Sequence, residues 1–208
     1  MIGADSGVFL SAIKEDASRT SIRSLLACEP QWAVEYSRVD WHDHDPWLRH
    51  ALQSQTPVRG TELQVQPSER AFIQRSSSLG FASSVVIPAP TSFGAARVGV
   101  LIIGSITPGY FEGDSYALVQ IVSRALAMEL HEWLLRTVRD DLLERSRITP
   151  DEIALLRHEA AGHTSKMIAA QVNVKAPTID CWFQRISAKL NAPDRRTAMR
   201  IARLYGLL

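Results

Sequence analysis

The segment from Ala176 to Leu190 combines residue types that could read a DNA duplex. Four apolar residues recur in it at helical spacing and predict one buried stripe: Ile179, Phe183, Ile186 and Leu190. The opposite face is small, polar and basic: Cys181, Gln184, Arg185 and Ala188, flanked by Thr178, Asp180 and Lys189. A helix with one packed and one polar face fits the major groove, where such side chains can bond base edges. A generic small helical bundle has the same periodicity, so the pattern alone leaves both interpretations open.

Four short helices are predicted in residues 148–208. The first begins with a capping box, Thr149 and Glu152, in which each side chain accepts a hydrogen bond from the other residue's backbone N–H. Thr164 and Asp194 are the corresponding caps of the second and fourth helices. The pattern predicts an all-α domain of four helices, and a helix-turn-helix is one of the two interpretations that it leaves open.

Residues 1–138 are predicted to form an α+β domain, an α-β-α sandwich with a small antiparallel sheet. Two runs rich in Val and Ile, 82–87 and 96–106, are expected strands, and turn residues lie between them from Pro88 to Gly94. Six segments are predicted as helices: 6–16, 20–28, 30–39, 46–52, 68–78 and 114–144. Polar residues 139–147 are the expected linker to the second domain.

Charge is unevenly distributed along the chain, whose formal net charge is +1. Residues 148–208 contain nine Lys or Arg and five Asp or Glu, which gives +4. The remaining residues contain 14 basic and 17 acidic side chains, which gives −3. A basic module beside an acidic one fits nucleic-acid binding, although charge of this size supports the interpretation without establishing it.

The sequence gives little support for a metal site, a disulfide, an enzyme or a membrane segment. His42, His44 and His50 lie among acidic residues, but their spacing matches no standard metal site, so no metal is predicted. Cys28 and Cys181 are far apart and are expected to be free thiols. There is no Gly-rich phosphate loop, nucleophile elbow or Cys/His pair, so we predict neither an enzyme nor a cofactor. With no signal peptide and no long apolar run, a cytoplasmic protein without a membrane partner is expected.

The last 60 residues contain a series of short motifs: Thr149-Pro-Asp-Glu152, Leu156, Ala161-Gly162-His-Thr164, Ile168-Ala169, Val174, Thr178-Ile179 and Lys189-Leu190. Together they resemble the DNA-binding domain of the LuxR family. The resemblance implies a transcription regulator whose partner is double-stranded DNA. It also implies a homodimer on a two-fold symmetric operator, with the helix 114–144 as the expected dimer seam.

The same resemblance implies roles along the third helix. Thr178 and Lys189 are expected to contact phosphates, and Asp180 and Gln184 to read bases. Three neighbours complete the candidate DNA-binding set: Lys175, Cys181 and Arg185. Asp180 stands where relatives often have arginine, so the operator of a typical relative is not expected to be preferred.

The N-terminal part carries a second set of motifs: Trp32-x-x-x-Tyr36, Asp45-Pro46, Ala71-Phe72, Gly80-Phe81 and Pro88. They resemble the autoinducer-binding domain of quorum-sensing members, which holds an acyl-homoserine lactone between sheet and helices. The resemblance implies that Trp32 donates its indole N–H to the lactone carbonyl, that Asp45 accepts from the ligand amide, and that Tyr36 lines the pocket. From the residues alone, the two aromatic rings could equally be core and Asp45 a helix cap.

Three further pocket positions depart from the family pattern. Cys28 occupies a position where the family has tyrosine, Gly60 one where it has tryptophan, and Ser84 one where it has glycine. The first strands of the family's sheet are also not apparent in the sequence. A signal-independent regulator is therefore an alternative. So is an anti-activator that forms a heterodimer with a true autoinducer receptor.

Overall fold

The computed structural model describes residues 3–14, 20–39, 41–89 and 97–208. The chain divides into two compact units, residues 1–132 and 133–208. None of the described helices has the length and apolar character needed to cross a bilayer.

The first unit is built on an antiparallel sheet. Its described strands are β1 (Ser6–Lys14), β2 (Thr20–Ala27), β3 (Val58–Arg59), β4 (Ser83–Ala89) and β5 (Arg97–Ser105). The order across the sheet is β2-β1-β5-β4-β3, so β1 pairs with the distant β5 as well as with its neighbour β2.

The helices predicted for residues 6–16 and 20–28 are therefore wrong, because these segments form β1 and β2. They are also the strands that were not apparent from the sequence. In β1, Val8 and Leu10 point to one face of the sheet while Phe9 and Ile13 are buried on the other. A strand buried on both faces reads as a short continuous apolar run, which periodicity alone does not distinguish from a helix.

Three helices cover one face of the sheet: α1 (Pro30–Arg38), α2 (Pro46–Gln53) and α3 (Arg70–Ser78). All three were predicted, but α3 starts after a single 3-10 turn, Pro67–Glu69, so Ser68 is not its cap. Pro88 lies within β4 rather than in the predicted turn, and most of that turn, residues 90–94, falls outside the described residues.

The long helix α4 (Tyr116–Ser146) covers the other face of the sheet. The His131 ring lies 6.2 Å from the Phe9 ring, and a Cβ on Gly99 would lie 2.7 Å from Nδ1 of His131. The close approach of helix and strand therefore requires glycine at this position. Helices on both faces of an antiparallel sheet confirm the predicted α+β sandwich. Because α4 continues to Ser146, it includes most of the segment expected to be a linker, and the domain limits remain a prediction.

The second unit contains four short helices after α4: α5 (Pro150–Ala160), α6 (Ser165–Gln171), α7 (Ala176–Lys189) and α8 (Arg195–Leu204). The predicted caps are present. Thr149 and Glu152 form the reciprocal capping box, and Asp194 accepts a 2.7 Å bond from the Thr197 backbone N–H. The predicted apolar stripe of α7 is buried in the core of this unit, so the helical C-terminal fold is confirmed.

Candidate functional site

A group of packed aromatic rings, which we call the aromatic cluster, lies on α1, α2 and α3, on the 3-10 turn Trp41–His44 and in the loop after α3: Trp32, Tyr36, Trp41, Trp47, Phe72 and Phe81. The Trp32 ring stacks on Tyr36 at 4.8 Å and lies nearly parallel to Trp47 at 6.2 Å. Phe72 meets Trp47 edge-on at 4.8 Å. Trp32 and Trp47 are each only 1% exposed, so the cluster is enclosed.

The structure brings the three predicted ligand residues together, but their polar atoms are engaged within the chain. Trp32 Nε1 donates to Ser76 Oγ at 3.1 Å, and the Tyr36 hydroxyl donates to Asp45 Oδ2 at 2.9 Å. The other Asp45 oxygen accepts from the backbone N–H groups of Trp47 and Leu48 at 2.8 and 3.1 Å. The interpretation of Asp45 as a helix cap is therefore correct, whatever else it binds.

Burial sets the electrostatics of Asp45. This side chain is 3% exposed, and desolvation raises its pKa to about 6, although its three hydrogen bonds act in the opposite direction. Burial and the neighbouring carboxylate also raise the pKa of the Tyr36 hydroxyl far above its ordinary value. Tyr36 is therefore a permanent donor, and Asp45 is an acceptor at neutral pH.

Two residues of this region were missed by sequence reasoning. Ser76 on α3 is 1% exposed and accepts the Trp32 bond. The Nε1 atom of Trp47 is buried and has no hydrogen-bond partner among the residues that the structure describes. A signal for Trp47 was available, because it directly follows the Asp45-Pro46 motif. Nothing local marks Ser76, whose partner lies 44 residues away along the chain.

Two of the three departures from the family pattern face each other. Arg59 pairs with Val85 across β3 and β4, and a Cβ on Gly60 would lie 2.4 Å from Ser84 Oγ. A large side chain at position 60 has no room beside Ser84, so the missing tryptophan and the missing glycine are spatially linked. The third departure, Cys28, is a half-buried free thiol whose pKa is raised by burial.

On α7, the buried stripe leaves the predicted polar face exposed. All residues of the candidate DNA-binding set except Thr178 are exposed, and four of them make no side-chain hydrogen bond within the described residues: Lys175, Cys181, Gln184 and Arg185. Within the described part of the chain, Gln184 makes no side-chain hydrogen bond that would hold it back from a base edge. Thr178, half-buried in the first turn, is anchored through its backbone N–H to the Lys175 carbonyl at 2.9 Å.

The remaining two residues of the set are tied to the rest of the unit. Asp180 accepts from Ser165 Oγ at 2.6 Å and lies 3.6 Å from Nη1 of Arg195. Lys189 donates to Glu152 at 2.7 Å and to the Arg147 carbonyl at 3.1 Å. Both side chains stabilise the domain, which the sequence pattern did not indicate.

The histidine-rich stretch has no metal-site geometry. The described residues contain no group of three or more His, Cys, Asp or Glu side chains placed to hold one ion. His42 contacts Asp43 at 3.5 Å, and His50 bonds the Thr56 carbonyl at 2.8 Å.

Comparisons with solved structures identify the fold. The Escherichia coli SdiA crystal structure matches with a TM-score of 0.74 at 18% identity, covering 98% of this chain and 84% of that one. SdiA in complex with octanoyl-rac-glycerol matches with a TM-score of 0.70 at 16% identity, over 98% and 82%. CepR2 from Burkholderia cenocepacia, an N-acylhomoserine lactone dependent LuxR family transcription factor, gives 0.48 at 16% identity, over 62% and 72%. A search of curated protein sequences finds no significant match.

Family comparisons cover most of the chain. Residues 2–132 match the autoinducer binding domain, which is the unit that contains the aromatic cluster. Residues 146–202 match the bacterial regulatory proteins of the luxR family, and this segment contains α7 with its exposed polar face. The chain therefore belongs to the LuxR family of bacterial regulatory proteins, with an autoinducer-binding domain followed by a LuxR-type helix-turn-helix.

Proposed function

We propose that this protein is a DNA-binding transcription regulator that inserts α7 into the major groove and responds to a small acyl signal in its N-terminal unit. The observation that carries the proposal is the outer face of α7. Its apolar stripe is buried while Gln184 and Arg185 remain exposed. Glutamine can bond adenine through two hydrogen bonds, and arginine can bond guanine in the same way.

The remaining candidate residues support phosphate binding at the ends of α7. Lys175 lies at the N-terminus of the helix, where backbone N–H groups already favour an anion. Lys189 lies at the other end, where its bond to Glu152 also fixes the capping box of α5. We infer that Lys189 positions the helix first and meets phosphate second, because its charge is partly neutralised by Glu152.

A homodimer is supported by the surface of α4. Its sheet-facing side is buried, with Val119, Ser123 and Ala127 all at most 4% exposed. Its other side also carries large apolar residues, each more than 40% exposed: Leu118, Ile121, Val122 and Leu126. A helix that is apolar on both sides normally buries both. We infer that a second copy of the chain covers this stripe, which gives the two-fold symmetry that a palindromic operator requires.

Signal binding in the aromatic cluster is supported by the meeting of Trp32, Tyr36 and Asp45. The fold is shared with SdiA, for which a complex with octanoyl-rac-glycerol is known. An acyl chain suits the apolar rings, and Asp45 suits a ligand donor such as an amide N–H or a hydroxyl. Acyl-homoserine lactones and acylglycerols both have this combination.

One observation favours the alternative of a signal-independent regulator or anti-activator. The polar atoms of Trp32 and Tyr36 are already satisfied inside the chain, by Ser76 and Asp45. These two buried donors therefore need no acceptor from a ligand. Mixed-dimer formation with an autoinducer receptor would then be the protein's means of action.

The test is selection of preferred duplexes from a random pool by the purified protein, followed by affinity measurements at several salt concentrations. We expect a palindromic site, with an affinity that falls steeply as salt rises because phosphate counterions are released. Light scattering on the wild type and on Ile121→Asp distinguishes a dimer from a monomer. Absence of any salt-dependent duplex binding by the wild-type dimer would overturn the regulator proposal. Tight mixed dimers without DNA binding would then favour the anti-activator.

A further inference from the structure

The aromatic cluster contains one buried N–H donor that has no hydrogen-bond acceptor among the described residues. Trp47 is 1% exposed, and its Nε1 atom has no hydrogen-bond partner in the residues that the structure describes. Buried side-chain donors are rarely left without an acceptor, because they lose water on burial and gain nothing in return. Such a donor inside a candidate ligand site indicates that the acceptor belongs to the ligand.

The neighbouring indole, Trp32, cannot donate to a ligand acceptor without breaking an existing hydrogen bond. Trp32 has a single N–H donor, and this hydrogen is directed to Ser76 Oγ at 3.1 Å. The helix that begins at Pro46 fixes the Trp47 backbone through Asp45 Oδ1 at 2.8 Å. The Trp32 and Trp47 rings are nearly parallel and 6.2 Å apart, but the Trp32 N–H has an acceptor in the chain and the Trp47 N–H has none among the described residues.

We propose that Trp47, rather than Trp32, donates the hydrogen bond to the carbonyl oxygen of the bound signal. The inference rests on the proposed function, because it requires that the N-terminal unit bind a ligand. It changes the expectation drawn from the family resemblance, in which Trp32 meets the lactone carbonyl. Trp32 and Ser76 instead become positioning residues that join α1 to α3.

The polar atoms of the site also define the chemical class of the signal. A carboxylate offers about four acceptor positions, and Asp45 uses three of them, on Tyr36, Trp47 and Leu48. One position therefore remains for a ligand donor. Two described arginines on these helices are already paired with carboxylates, Arg49 with Glu69 and Arg75 with Glu35. The site thus favours a neutral acyl compound with a carbonyl and one donor hydrogen, and Asp45 repels an acyl anion.

The experiment measures binding of N-octanoyl-homoserine lactone, 1-octanoyl-rac-glycerol and octanoate to the full-length protein by calorimetry. The variants are Trp47→Phe and Trp32→Phe, and Trp182→Phe is the control because it removes an indole from the other unit of the chain. We expect Trp47→Phe to weaken binding of a neutral probe about tenfold or more, the effect of one lost buried hydrogen bond. Trp182→Phe should change it less than about twofold, and octanoate should bind at least tenfold more weakly than the neutral probes.

Thermal unfolding without ligand gives a second readout. Trp47→Phe removes a donor that has no partner, whereas Trp32→Phe breaks the bond to Ser76, so Trp32→Phe should lower Tm more. If either phenylalanine variant fails to fold, a benzothiophene ring installed at the same position replaces the N–H by sulfur and keeps the shape. The loss of affinity should then occur when the ring at position 47 is replaced and not when the ring at position 32 is replaced.

Three results would overturn the assignment. They are unchanged affinity in the Trp47 variants, loss of affinity at position 32 instead, and no binding of either neutral probe to the wild type. Equal binding of octanoate would refute the neutral class. Duplex binding measured on the same wild-type preparation separates these failures from failure of the regulator proposal, because DNA binding persists if only the ligand inference is wrong.

Discussion

The aromatic cluster and the outer face of α7 are both candidate binding sites, yet they relate to folding in opposite ways. In the cluster, Asp45 caps α2, accepts from Tyr36 and is 3% exposed. On α7, Gln184 is exposed and makes no side-chain bond within the described residues. Under the proposed function, ligand binding and stability therefore depend on the same atoms at Asp45, whereas Gln184 serves DNA binding and not stability. Substitutions should affect the two sites accordingly.

The largest effect is expected for Asp45→Ala. It removes a helix cap and leaves the buried Tyr36 hydroxyl without an acceptor, which together cost about 2–4 kcal/mol. The measurement is urea unfolding at about pH 5, where little charge is buried at this position. Asp194→Ala is the control, since this exposed cap bonds the Thr197 N–H and should cost about 1 kcal/mol. Equal losses in the two variants would mean that Asp45 has no more than a capping role.

A smaller effect on the free energy of unfolding is expected from a change of pH. Because burial raises the Asp45 pKa from 3.8 to about 6, the folded state binds this proton more tightly than the unfolded state does. The contribution of Asp45 to the free energy of unfolding is therefore fully present below about pH 4. It decreases as pH rises through about 6, by up to about 3 kcal/mol. The free energy of unfolding of wild type minus that of Asp45→Asn, followed from pH 4 to 8, isolates the effect. A difference that stays flat or rises with pH would contradict it.

The smallest effect on stability is expected at Gln184. Gln184→Ala should leave the free energy of unfolding within about 0.5 kcal/mol of wild type. It should nevertheless reduce discrimination at one operator base pair by about 1–3 kcal/mol. The comparison variant is Asp180→Ala, which also loses the bond to Ser165 and should weaken folding and DNA binding together. If Gln184→Ala destabilised the protein as much as Asp180→Ala, the two positions would not differ as the structure implies.

The second unit could be predicted almost completely from its sequence because its signals are local. Thr149, Thr164 and Asp194 each bond an N–H three residues ahead. The apolar stripe of α7 has a strict helical period. What escaped prediction were contacts between helices, such as Lys189 with Glu152, because spacing within one helix carries no information about the partner on another.

The first unit was predicted less well because its structure depends on distant pairing. Strand β1 lies inside the sheet rather than at its edge only because β5, far along the chain, lies beside it. The short helices and the meeting of Trp32, Tyr36 and Asp45 were predictable from caps and from family resemblance. The bond from Trp32 to Ser76 and the unpaired Trp47 donor were not, since each depends on which side chains the folded core brings together.

The placement of the five tryptophans also has an optical consequence. Trp32, Trp41 and Trp47 are packed in one enclosed group, whereas Trp133 is 47% exposed and Trp182 is half-buried. Shielded indoles emit at shorter wavelengths than hydrated ones, and closely spaced rings exchange excitation energy. The blue part of the intrinsic fluorescence therefore reports on residues 1–132 and the red part on residues 133–208. The two can be followed separately in an unlabelled sample.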